Sequence, residues 1–178
     1  MLKKNGYNHL AVGWLLEKGY NPSNYQSRVL SDAATVARPE TLKLLLADKR
    51  FLSLETAVES AIKYGRLDNL QLLMADQRIA DRLRQDQNSL VRYILVAARS
   101  DQVDILALLV SKLDNYTVAL KRRILHAASE NDSLAVVQSM DAETMRDNAI
   151  DLLSTMASSD SWQVAQFLLD NFVSAEDL

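Results

Sequence analysis

The sequence predicts an all-α protein built from repeated helix pairs, and three observations lead there. The 178 residues include only four Gly and two Pro, fewer than the many turns of an all-β fold would use. Apolar residues recur at spacings of three and four, the period of one buried helical face. An apolar residue followed three or four positions later by a small pair also appears five times. The leading residues, Leu30, Val58, Ile94, Ile124 and Leu153, are separated by 28, 36, 30 and 29 residues, a near-constant step that marks a repeat.

The elements follow in chain order. A half unit over about 8–20 opens the chain, with Leu10, Val12, Leu15 and Leu16 on one face. Gly19 is its expected C-terminal cap, and Pro22 blocks continuation. Five full units then span about 28–52, 55–80, 91–113, 121–141 and 150–171, all within a single domain covering 1–178. In each, a first helix closes on its small pair: Ala33-Ala34, Ala61-Ile62, Ala97-Ala98, Ala127-Ala128 and Met156-Ala157.

A second helix follows, carrying the bulky stripe. The stripes are Leu42, Leu44, Leu45; Leu67, Leu70, Leu72, Leu73; Val103, Leu106, Leu108, Leu109; Leu134, Val136, Val137, Met140; and Trp162, Val164, Phe167, Leu168. The segments LKLLLADKRF (42–51) and LQLLMADQRI (70–79) agree at six of ten positions, which makes the repeat plain by direct reading. The longest step places a polar insertion between Ile79 and Leu90, read as an exposed loop with room for a helical turn.

Composition removes several function classes. Without cysteine there are no disulfides, thiolate metal sites or cysteine nucleophiles, as fits a reducing compartment. No apolar run reaches the roughly 18–20 residues of a membrane span. The two histidines, His9 and His126, lie in different units without metal-ligand spacing around either, so neither a metal nor a cofactor is expected. Four scattered glycines build no phosphate loop, and no nucleophile motif occurs, so the chain is not expected to be an enzyme. Charge is unevenly spread. Residues 1–128 carry 19 Lys+Arg and 13 Asp+Glu, whereas residues 129–178 carry one base, Arg146, and ten acids.

The stretch Thr56-Ala57-Val58-Glu59-Ser60-Ala61-Ile62-Lys63-Tyr64-Gly65-Arg66-Leu67-Asp68-Asn69-Leu70-Gln71-Leu72-Leu73 resembles an ankyrin repeat. It keeps the Thr, an apolar residue at the Leu position, the Ala, the Gly and the leucine-rich second helix. The resemblance covers roughly residues 8–170, with departures. No unit keeps Thr-Pro-Leu-His, the glycine-rich hairpin tips are missing, and Asp101, Asn131 and Asp160 stand at or near the helix-ending Gly. Asp and Asn tolerate the left-handed conformation better than most residues, which suits them to that place.

The resemblance implies an ankyrin-like solenoid with short or irregular hairpins that binds a partner protein through its concave face. It also implies that the two residues after each small pair face the partner: Thr35-Val36, Lys63-Tyr64, Arg99-Ser100, Ser129-Glu130 and Ser158-Ser159. Tyr and Arg are favoured interface anchors, which singles out Tyr64 and Arg99 with neighbouring Lys63. Arg82 and Arg84 in the insertion, and Arg122 and Arg123 after Lys121, add a basic patch suited to an acidic protein surface.

Nucleic acid is the less expected partner, because the sequence pI is about 5.4 and no aromatics alternate with the bases. Self-association through the ends of the stack is the other alternative. Both ends look abrupt, so the chain reads as a targeting domain within a larger protein, such as a secreted bacterial effector. The compartment expected is cytoplasmic, and a host cytoplasm if the chain belongs to an effector.

Overall fold

A helix cannot continue past a residue with positive φ, and this chain uses that stop repeatedly. Gly65, Asp101 and Asp132 have φ of 65°, 55° and 54°. At each, the next amide reaches back five residues: Arg66 N to Ala61 O at 2.8 Å, Gln102 N to Ala97 O at 3.1 Å and Ser133 N to Ala128 O at 2.9 Å. The left-handed residue itself donates three residues back, to Ile62, Ala98 and Ser129. This paired pattern is a Schellman cap, and it satisfies carbonyls that a helix end would leave orphaned.

The computed structural model describes residues 13–14, 17–19, 26–36, 39–48, 53–156 and 161–174. These form helices, with no strand among the described residues. The chain divides into two compact units, residues 1–89 and 90–178. The first holds α1 (Gln26–Thr35), α2 (Pro39–Ala47), α3 (Glu55–Lys63), α4 (Leu67–Ala75) and α5 (Gln77–Gln85). Then come α6 (Gln87–Arg99), which starts at the end of the first unit, α7 (Val103–Val110), α8 (Val118–Ser129), α9 (Leu134–Gln138), α10 (Ala142–Met156) and α11 (Trp162–Phe172).

Packing is layered within each unit. In the first, α1 packs on α3 and α2 on α4, with α1 against α2 and α3 against α4. In the second, α8 packs on α10, α8 on α9, α10 on α11 and α9 on α11. The small pairs permit this close approach, since Ala33, Ala34, Ala61, Ala97, Ala98, Ala127 and Ala128 are all 4% exposed or less. Behind them Leu42, Leu45, Leu70, Leu73, Leu109, Val136, Val137, Val164 and Leu168 are buried.

The register of the repeat is set by the turns. Arg66, Gln102, Ser133 and Ser161 each precede a second helix with nearly the same backbone, ψ between 61° and 79°. These positions make the true steps 36, 31 and 28. The sequence steps misplace the fourth unit by one residue. Ala127-Ala128-Ser129 offers three small residues in a row, and the Schellman bond falls on Ala128. The left-handed residue there is Asp132 and not Asn131, and Ser129 is 1% exposed where an outward position was expected.

Further expectations are corrected. The insertion after Ile79 is helix α5 and not a loop, because Asp76 caps its start by accepting from Arg78 N at 3.0 Å and Ile79 is buried. Leu44 and Trp162 leave their stripes: they are 39% and 70% exposed. Each lies two residues from a buried stripe member, Leu42 and Val164, and two residues turn a helix by about 200° to its other side. Gly19, at φ 78°, has the left-handed conformation expected of the first unit's terminator. Leu10, Val12, Leu15, Leu16, Pro22, His9, Ser158-Ser159 and Asp160 lie outside the described residues.

Candidate functional site

The repeated turns also carry the bonds that fix one layer to the next. Asp101 Oδ1 accepts from Val136 N at 2.9 Å, and Asp132 Oδ1 accepts from Val164 N at 2.9 Å. Both donors occupy the third helical position, one of the amides that have no partner inside their own helix. So the left-handed Asp of one repeat caps the second helix of the next. In the first unit the same layer contact runs the other way. Asn69, 1% exposed, donates through Nδ2 to Ala34 O at 3.0 Å and Val36 O at 2.7 Å, and Arg66 Nε donates to Thr35 O at 2.7 Å. Nothing in the sequence pattern singled out Asn69, since a polar residue on a second helix reads as solvated.

These bonds fix the backbone of the turns. Lys63 ends α3 and is exposed, and Tyr64 caps it with 56% of its surface open. Its amide is tied to Ser60 O at 3.1 Å, so the ring projects from a fixed backbone. Arg99 ends α6 at the equivalent position and is also exposed. Glu130 is the next equivalent residue, exposed and opposite in sign.

The basic residues have a different setting. Arg82 Nη1 lies 2.7 Å from Glu55 Oε1, and Arg84 Nη1 lies 2.7 Å from Asp81 Oδ1. Glu55 opens α3 while Lys63 closes it, so Arg82 and Lys63 mark opposite ends of that helix, about 12 Å apart along its axis. In the second unit Arg122 Nη2 meets Asp151 Oδ2 at 2.7 Å, and Lys121 Nζ meets Asp141 Oδ2 at 2.9 Å. Both pairs join α8 to α10 or its cap. Arg123 is exposed and has no ionic partner among the described residues.

His126 Nε2 also approaches Asp151 Oδ2, at 3.2 Å, so this carboxylate gathers two side chains of α8. The Arg122 hydrogen bond holds Asp151 below its ordinary titration range. Asp141 is held well below it, first by the Thr144 amide, then by the Lys121 ammonium and the Thr144 hydroxyl. Lys121 is pushed up in return by Asp141.

Among the described residues no group of three His, Asp or Glu side chains is placed to hold a metal ion. A groove of about 320 Å³ between α2 and α4 is lined by Pro39, Lys43, Asp68, Gln71 and Leu72, with no nucleophile and base side by side. No helix among the described residues is long and apolar enough to cross a membrane. Comparison with protein-family models, curated proteins and solved structures finds no match.

Several exposed apolar residues were not singled out from the sequence, Ile150, Val118 and Leu169 among them. Ile150 is 53% exposed on α10, and Val118 is 78% exposed at the start of α8. For Ile150 the signal was present: Met145, Ala149, Leu152 and Met156 complete a buried stripe that leaves 150 outside it.

Proposed function

We propose that the chain is an ankyrin-like helical-repeat scaffold that recognises a partner protein and carries out no reaction of its own. The observation that carries this reading is one backbone turn used three times with different side chains at the same two positions, all exposed but the half-buried Ser100. Lys63, Arg99 and Glu130 occupy the same place in the turn, and Tyr64, Ser100 and Asn131 the next. A constant frame with varied display is how a recognition surface is built. Holding the turns with caps between layers reduces the ordering entropy lost on binding.

Within the first unit Tyr64 is the proposed anchor, with Lys63 beside it, and within the second Arg99 is the corresponding cation; both cations favour an acidic partner face. In the second unit Arg123 adds an exposed cation with no ionic partner among the described residues, and Ile150 an exposed apolar side chain. A nucleic-acid surface has less support. Arg82, Arg84, Lys121 and Arg122 each sit within 2.9 Å of a carboxylate, so much of the positive charge available to phosphates is already matched. A cytoplasmic setting, in a host if the chain belongs to an effector, is part of the same proposal.

The test is an affinity pulldown from a eukaryotic lysate with the wild type and a Tyr64→Ala/Arg99→Ala double variant of unchanged helicity. A specific protein retained by the first and lost from the second is expected. Equal retention by both moves the surface away from the turns. Recovery of nucleic acid alone, released by salt, refutes the reading.

A further inference from the structure

The last helix carries an apolar face that the protein's own core does not use. Val164 and Leu168 turn inward and are fully buried, whereas Trp162 is 70% and Leu169 is 40% exposed. Trp162, Gln166 and Leu169 are spaced by four and three residues, so they form one stripe, roughly 140° around the axis from the buried pair. Single exposed apolar residues are ordinary on soluble proteins. Here a tryptophan and a leucine share a stripe two turns long, and Trp is among the residues most enriched in protein interfaces.

Charge tells what would cover it. Residues 158–178 contain Asp160, Asp170, Glu176 and Asp177 and no Lys or Arg. Asp170 is exposed beside Leu169 on the helix and accepts from Gln166 Nε2 at 2.8 Å. An apolar stripe in an acidic segment repels a copy of itself and an anionic bilayer, and attracts a surface that alternates cations with apolar residues.

We propose that the Trp162–Leu169 face of α11 is a docking site for a cationic amphipathic helix of another protein. Apolar residues of that helix at i and i+7 would cover Trp162 and Leu169, and its lysines or arginines would meet Asp170. The proposal does not rest on the reading given for the repeated turns.

Trp14 and Trp162 are the only tryptophans, so Trp14→Phe leaves Trp162 as the sole reporter. The probes are an amphipathic Leu/Lys helical peptide of about four turns and its Leu/Glu counterpart of the same pattern. The expected result is a saturating blue shift of Trp162 emission with the Leu/Lys peptide, weaker in salt, and none with Leu/Glu. Leu169→Lys in the same background should weaken the affinity about tenfold or more with helical content unchanged. If that variant does not fold, Asp170→Asn replaces it, with a smaller but measurable weakening and a shallower salt dependence.

Four results would overturn the proposal. One is no shift with either peptide, and another is an equal shift with both. A third is unchanged affinity in the folded variant, which puts the peptide on another acidic surface. The fourth is a blue shift that grows with protein concentration alone, together with a doubled mass in sedimentation, which assigns the face to a second copy.

Discussion

Asp101 does two things at once, and substitution can separate them. Its backbone stands at φ 55°, where a residue with a Cβ costs about 1–2 kcal/mol relative to glycine, less for Asp and Asn. Its carboxylate accepts from Val136 N at 2.9 Å, an N-terminal helix bond of a kind worth about 0.5–2 kcal/mol. Asn keeps both features, so Asp101→Asn should stay within about 0.5 kcal/mol of wild type. Gly loses the bond but relieves the backbone, for a net cost of about 0–1 kcal/mol. Ala loses the bond and keeps a Cβ in the disfavoured conformation, costing about 1–3 kcal/mol. The order of stability is therefore Asp and Asn above Gly, and Gly above Ala. Urea unfolding followed by helical circular dichroism reads it, as shifts of midpoint at constant slope. Asp101→Ala indistinguishable from wild type, or Asp101→Gly more stable than wild type by over about 1 kcal/mol, would refute the inter-repeat cap.

Other perturbations probe the layers and the ion pairs. Leu109→Ala removes a fully buried side chain and should cost about 2–5 kcal/mol in urea unfolding. A cost below about 0.5 kcal/mol would mean that α7 is packed on another face. Asn69→Ala strands the Ala34 and Val36 carbonyls at a buried contact, with an expected cost of about 1–3 kcal/mol. A neutral result there would show that water reaches those carbonyls. Asp141 and Asp151 are both held below their ordinary range, so their contributions to stability are present above the unfolded value of about 4. They are lost as pH falls through the folded values. Urea midpoints should therefore decline below about pH 4, and Asp141→Asn should flatten that decline. An identical acid limb in wild type and variant would count against the Lys121–Asp141–Thr144 arrangement.

How much of this was legible in the sequence depends on the range of the forces involved. The helix pairs, the buried small residues and the left-handed Gly19, Gly65 and Asp101 all follow from periodicity and turn chemistry, which are local. Where the local signal was degenerate, it failed. Ala127-Ala128-Ser129 fits two registers equally, and the hydrogen bond to Ala128 O chooses between them. Trp162 and Leu44 looked like core because their neighbours are core, but an offset of two residues turns a helical side chain to the opposite side. The resemblance implied that the two residues after each small pair face outward: Lys63, Tyr64, Arg99 and Glu130 are exposed, whereas Thr35, Val36 and Ser100 are half-buried and Ser129 is buried.

The sequence by itself determined that the chain is helical, that its units repeat, and which apolar residues are buried in most of them. Only the tertiary structure decided what the polar residues do. Asp101, Asp132 and Asn69 become bonds between layers, and Arg82 and Arg122 become halves of ion pairs between helices. The reason is physical. A hydrophobic stripe is written in consecutive turns of one helix. A hydrogen bond such as Asp101 to Val136, 35 residues away, exists only after two helices have been brought together.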